Sequence, residues 1–405
     1  MPFIMIAVLI DMLSIGLIVP VLPLLVGEFT QSKADQSFWY GAVAFAFGIA
    51  NFFASPVLGA LSDSYGRRPV MLLGFFALGL TFFGTALATE LWMLILARLV
   101  GGAMQANVSV ANAYVADITP AEERARRFGM LGAMFGIGFV LGPVLGGLLG
   151  AIRLDLPFFV AGSLALANLV YGYFVVPESL PPSERRAFSW SRATPLASLR
   201  SLARLRGVGG LVAVIACTGL AQFTTYTTWV LYSSFKFGWG PRENGWALAA
   251  FGVSSGVAQG LFLGRLLRRW SPRQLAVAGL ASSSVAYAAF GAVTQGWMMF
   301  VVIALNLLGT TVAANIQSII SGAASAQNQG QTLGAVSSLN SLMAVLAPTL
   351  AGPMMALVSH YPRGDWRMGA PFYFCALLQA LGLVLAVRHF RRTNLELAAL
   401  PKGLS

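Results

Sequence analysis

The sequence is poor in charge. Of 405 residues only 10% are Asp, Glu, Lys or Arg, where soluble domains carry about 25%. With 57% hydrophobic residues, nothing is left for a large soluble domain, and the chain reads as a polytopic membrane protein. Cysteine is nearly absent: Cys217 and Cys375 stand alone in apolar runs, without CxxC or Cys/His spacing, and read as small apolar fillers rather than metal or redox groups. His360 and His389 are equally isolated, so no metal site and no cofactor is expected. No HExxH is present and no paired acids lie within an apolar run, which argues against an intramembrane enzyme. No phosphate-binding glycine loop is present either, which argues against direct ATP coupling. The scarcest feature is acid inside the apolar runs: of 14 acids only Asp11 lies well within one.

What is present is apolar length. Runs long enough to cross a bilayer, about 20 residues each, fall at 3–27, 38–61, 69–89, 91–115, 127–151, 157–177, 207–235, 241–267, 273–293, 296–321, 332–358 and 369–388. The first run lacks a basic leader and a small-residue cleavage site and reads as a retained span. Its short, charge-free N-terminus leaves room for residues ahead of it. The expected fold is all-α and integral to the membrane, with twelve helices in two bundles. We expect bundles at 1–177 and 207–388, a cytoplasmic linker at 178–206 and a cytoplasmic tail at 389–405. The linker is polar, basic and proline-bearing, and could carry an amphipathic helix lying on the membrane face. With the N-terminus inside, cytoplasmic segments hold 19 of the 26 Lys and Arg and the opposite side 6, so both termini are expected in the cytoplasm. That bias also accounts for the net charge of +12 without a nucleic-acid partner.

The two bundles read as a repeat. Shifting the sequence by 205 residues sets Gly59 on Gly264, Arg68 on Arg273, Gly74 on Gly279 and Trp92-Met93 on Trp297-Met298. It also sets "GPVLGG" at 142–147 on "APTLAG" at 347–352, proline on proline. Halves repeated in one direction imply duplicated bundles around a central cavity.

Asp11 and Arg98 are the acid and the base that sit well inside spans. A charge at mid-helix costs roughly 2.5–3.5 kcal/mol on insertion scales and is a functional-site hypothesis by default. At about 1.5 Å per residue the two backbones differ in depth by roughly 8 Å, so an extended arginine or one water could join them. Asp11 is the candidate protonation site and Arg98 its expected partner. The fourth span carries a polar stripe, Arg98, Gly101, Gly102, Gln105, Ser109 and Asn112, at helical steps. The seventh carries Gln222, Thr225, Tyr226, Trp229 and Tyr232. Phe47 and Asn51, Gln259, Asn306 and Thr310 add to a candidate substrate cavity with aromatic and polar walls.

The connection "GALSDSYGRRPVML", 59–72, joins the second and third spans. Gly59 gives room for close helix contact, Gly66 permits a positive φ, and Pro69 suits a helix start. Asp63, Arg67 and Arg68 place opposite charges within pairing range.

This loop resembles the signature of the major facilitator superfamily. "LILARLVGGAMQA" (94–106) and "GIGFVLGPVLGG" (136–147) are similar to that superfamily's fourth- and fifth-helix motifs. "IDMLSIGLIVPVLP", "YVADITPAEERARRFG", "TQGWM" and "GQTLGAVSSLNSL" narrow the resemblance to drug:proton antiporters, and within them to tetracycline efflux proteins. The resemblance implies the major facilitator fold and alternating access. It implies a gate at Gly59, Asp63, Gly66, Arg67 and Arg68, with Asp117 and Arg124 as partners. It implies that Gly138, Gly142, Pro143, Gly146 and Gly147 pack at the boundary between halves. It further implies efflux of an amphiphilic organic compound, with protons as coupling ion, by a monomer in a bacterial inner membrane. Thr81 and Ser283 stand where the resemblance leads one to expect further aspartates. A metal–tetracycline chelate would want those carboxylates, which leaves the substrate open. A proton-coupled importer or facilitator of a small metabolite is the alternative.

Overall fold

The structure, a computed structural model, describes residues 2–105, 107–190, 209–323 and 329–398. Among these residues there is no strand. Eleven helices are long and apolar enough to span a membrane, and one bent pair makes a twelfth. They are α1 (Pro2–Glu28), α2 (Lys33–Tyr65), α3 (Arg67–Ala86), α4 (Leu91–Asp117), α5 (Arg126–Gly150) and α6 (Leu156–Val175). Then follow α7 (Gly210–Phe237), α8 (Pro241–Leu266), α9 (Pro272–Ala292), α10 (Gly296–Leu305 with Gly309–Ile320), α11 (Gly334–Val358) and α12 (Trp366–Arg392). Residues 191–206 of the expected linker, with any amphipathic helix there, and 399–405 of the expected tail lie outside the described residues.

Three spans are broken where hydropathy predicts rods. In α1 the helix stops at Ile18 and restarts at Leu22; Pro20 lacks a donor and Pro23 suits the new start. In α4 it stops at Met104 and restarts at Asn107. A helix end frees backbone carbonyls, and Asn51 of α2 satisfies two of them, donating to Gln105 O at 2.9 Å and Gly102 O at 3.3 Å. The pieces of α10 meet at 57°. There Asn306 turns its side chain inward and accepts from Ser282 Oγ at 3.1 Å. Hydropathy is blind to such breaks, because composition stays apolar across them.

The first six spans pack on one another, chiefly α1 on α5 and α6, α2 on α4, and α3 on α6. The last six do likewise, with α7 on α11 and α12 and α9 on α12. Each half has its own core: Ile4, Val8, Phe75, Val110 and Leu131 in one, Leu211, Leu280, Val312, Ile316 and Leu339 in the other.

Two seams join the halves, α2 on α11 and α5 on α8. A Cβ on Gly41 would lie 3.1 Å from Gly352 Cα and from Pro348 O. A Cβ on Gly245 would lie 2.4 Å from Pro143 O and 3.1 Å from Gly147 Cα. The 205-residue shift carries Pro143 to Pro348 and Gly147 to Gly352, so the repeat read in the sequence is the repeat of these seams. Close backbone approach through small residues is the usual means of helix packing in membranes. Both seams lie toward the ends of the helices remote from the termini. Toward the other end, Gly129, Gly132 and Gly136 of α5 and Gly256, Gly260 and Gly264 of α8 face open space. The halves therefore touch at one end and part at the other.

Candidate functional site

Asp11 is 4% exposed, in the middle of α1. Its partner is not Arg98. Asn107, itself 4% exposed, donates to Asp11 Oδ1 at 3.1 Å. Asn107 also seats against α3, where a Cβ on Gly74 would lie 2.1 Å from its Oδ1. Arg98 turns instead between α2 and α3. Its Nη2 reaches Thr85 Oγ1 at 3.5 Å, and Phe47 and Phe82 lie 6.0 Å from its guanidinium. Its Nε is buried without a hydrogen-bond partner among the described residues. The expected Asp11–Arg98 pair is thus corrected, and the reason is the break in α4. A stripe drawn through a continuous helix does not survive a stop at Met104. Asn107 lies off that stripe, and only its short polar side chain in an apolar run marked it.

Thr81 and Ser283 are both buried. Thr81 donates to Leu78 O at 3.0 Å, so it is satisfied within its own helix.

The cavity candidates divide. Gln222 and Tyr226 are exposed on α7, with Gln222 Nε2 donating to Tyr226 Oη at 2.9 Å. Gln259 is exposed on α8 and donates to Ser255 Oγ. Gln105 and Asn112 are half-buried on α4, and Phe47 on α2. Others serve packing and are corrected here. Trp229 is 4% exposed and meets Phe290 and Phe372 edge to face. Thr225 is buried and donates to Ala221 O. Asn51 holds the α4 break and Asn306 the α10 break. Thr310 donates to Leu307 O beside it. A recess of about 900 Å³ between α5 and α8 is walled by Trp239, Trp246 and Trp297, and none of these polar candidates lines it.

The gate loop is a charge cluster at the end where the halves part. Arg67 pairs with Asp63 and, at 3.0 Å, with Asp117. Arg68 leaves the cluster: it donates to Tyr173 O and lies over the Tyr173 ring. Arg124 does not join either, donating to Thr119 O and Ala116 O of its own connection. Gly59 touches nothing in this conformation. Glu178, which the sequence reading passed over, sits at the centre. Its carboxylate accepts from Arg67 N at 2.9 Å and Arg68 N at 3.3 Å, where the N-terminus of α3 favours an anion. Gly66 has φ +108°, and a Cβ on it would lie 2.2 Å from Glu178 Oε2. The glycine is required twice, by the turn and by the carboxylate. An acid just after α6, ahead of a basic linker, was the available signal. Among the described residues no salt bridge joins the two halves.

The fifth-helix motif also divides, by helical period. Gly138, Gly142 and Gly146 share a face and press on Met12, Gly16 and Leu17 of α1, inside the first half. Pro143 and Gly147 share the next face and meet α8 across the boundary. Only two of the five therefore lie where the resemblance implies.

A family model described as Major Facilitator Superfamily matches residues 4–240 and 211–403. The chain is 35% identical over 371 residues to "Tetracycline resistance protein, class C" of Escherichia coli, covering 91% of this chain and 93% of that protein. It is 27% identical over 385 residues to "Multidrug resistance protein 2" of Bacillus subtilis (strain 168), covering 93% and 91%. The crystal structure of the nucleoside transporter NupG superposes with a TM-score of 0.76 at 14% identity, over 96% of this chain and 98% of that one. That last likeness is one of fold.

Proposed function

Since the chain belongs to the major facilitator superfamily and is a multi-pass membrane transporter, we propose that it works by alternating access, exporting drug-like amphiphilic organic compounds in exchange for protons. The observation that carries this is Asp11, a carboxyl buried at mid-span and held by a neutral partner, Asn107. An intramembrane acid is a functional site by default, and a proton relay is one of the roles such acids take. If its surroundings differ between the two open states, it takes a proton from one side and releases it to the other. The relatives' names, tetracycline and multidrug resistance, support export of drug-like compounds.

The seams supply the alternation. With both termini in the cytoplasm, as the Lys and Arg bias favours, the described conformation is closed on the outer side and open inward. The unoccupied glycines of α5 and α8 then form the opposite seam when the halves rock. The protein sits in the bacterial inner membrane and acts as a monomer, since each half finds its partner within the same chain. A proton-coupled importer or facilitator of a small metabolite would use the same movement. The neutral Thr81 and Ser283 speak for that alternative, and the direction of pH-driven flux separates the two.

The test is reconstitution in liposomes with an imposed pH gradient and a panel of amphiphiles that includes tetracyclines. Wild-type protein should move at least one of them against its gradient, and Asp11→Asn should not. Full pH-driven transport by Asp11→Asn would defeat the reading.

A further inference from the structure

The second half contains a polar recess that joins one cavity candidate, Gln222, to three polar residues with no role assigned above. Thr218 and Gln222 of α7, Gln317 of α10 and Asn340 of α11 converge on it, over a floor that includes Ile215 and Ile316. The helices approach closely: a Cβ on Gly219 would lie 3.1 Å from Asn340 Oδ1. Thr218 Oγ1 is buried and has no hydrogen-bond partner among the described residues. Gln222 spends one donor on Tyr226 and keeps its carbonyl oxygen. Gln222 at its edge is exposed, and α7 also contacts α1 and α2 of the first half, which puts the recess on a helix that faces the other half.

Its chemistry is specific in two respects. The recess measures about 50 Å³, far below the roughly 300–1,000 Å³ of pockets that enclose a drug-sized ligand, so it suits a small head group and not a whole drug. Among the described residues no charged side chain lines it. Carboxamides and a hydroxyl each offer both donors and acceptors. An ionic head would be stripped of water there without a counter-charge, which is costly. A group that both donates and accepts, such as an amide or a hydroxyl, matches the carboxamides of Gln222, Gln317 and Asn340 that line it.

We propose that this recess is the head-group subsite for an uncharged amphiphile bearing an amide or hydroxyl group. The assignment rests on the transporter reading above and narrows its substrate class. The body of the ligand lies along the cleft beside Tyr226, whose ring meets Phe223 edge to face. Recognition in the second half is then free of charge, apart from the acid in the first.

The experiment uses the full chain in proteoliposomes with no pH gradient and radiolabelled chloramphenicol, an uncharged amphiphile with an amide and two hydroxyls. Wild type should bind it. The variants Asn340→Leu and Gln317→Met, which keep side-chain size, should each weaken binding by about tenfold, the size of one lost buried hydrogen bond. Ethidium, a permanent cation, and nitrobenzoate, an anion, should not displace it. Absence of wild-type binding, unchanged binding in both variants, or displacement by ethidium as effective as by unlabelled chloramphenicol would each overturn the proposal. Binding here without pH-driven flux would defeat proton exchange and leave the subsite standing. Flux of other compounds without this binding would do the reverse.

Discussion

The two halves share a frame and differ in chemistry. Under the 205-residue shift Gly74 corresponds to Gly279, and each glycine seats a side chain from the broken fourth helix of its half. In the first half that side chain is Asn107, which holds Asp11. In the second it is Val312, and the position of Asp11 is taken by Ala216, both in an apolar core. Arg98 corresponds to Ile303, which is buried among apolar neighbours. The gate acid Asp63 corresponds to Arg268. Small residues that let helices touch recur in both copies; among the ionisable groups Arg68 recurs as Arg273, while Asp11, Arg98 and Asp63 do not recur. Duplication supplied the hinge, and one copy carries the candidate proton chemistry.

The strongest way to break this comparison is to make the first half resemble the second. The double variant Asp11→Ala with Asn107→Val replaces a buried polar pair by the apolar one its counterpart carries. Such replacements are often neutral or stabilising. Thermal unfolding should show a midpoint at or above wild type, while pH-driven transport disappears. Asn107→Val alone leaves the carboxyl without its donor and should cost about 1–3 kcal/mol, readable as a lowered midpoint.

Next in size are the seams. Gly260→Leu fills open space in the described conformation and should fold normally. It should nonetheless reduce transport by more than tenfold by blocking closure of the opposite seam, with substrate binding retained. Gly147→Leu acts on the closed seam, where even a Cβ would lie 2.6 Å from Pro241 O. Spin-label distances across α5 and α8 should widen at the closed seam in this variant and stay unchanged for Gly260→Leu.

Smaller effects sharpen the picture of the gate. Glu178→Ala removes the anion at the start of α3 and should cost about 1 kcal/mol. Arg124→Ala, which frees only carbonyls of its own connection, should stay within about 0.5 kcal/mol of wild type. Arg67→Ala should exceed both, since Arg67 is 9% exposed and its loss strands Asp63 and Asp117. Denaturation of the three variants in one detergent would rank them.

The spans, the repeat and the gate loop were legible in the sequence, because each rests on local composition or on a fixed offset. Lateral pairing was legible less often. Asp11 was found because a single acid in an apolar run stands out, but its partner was misassigned, since α4 breaks ahead of Asn107. Asn51 looked like a cavity residue because side chains that satisfy a broken backbone share the composition of side chains that line water, and Asn306 because one that accepts from a neighbouring hydroxyl, here Ser282 Oγ, shares it too. Trp229 failed for the opposite reason: an aromatic on a polar stripe faces whichever neighbour is larger, and here that is Phe290 and Phe372. Glu178 escaped because it acts on backbone donors more than a hundred residues away.

The central claim is that proton exchange passes through Asp11. Its most direct measurement is proton release on substrate addition, made in weakly buffered solution with wild type and Asp11→Asn side by side. The account predicts near-stoichiometric release from wild type and none from the variant, with substrate still bound by both. Equal release from the two proteins would contradict it.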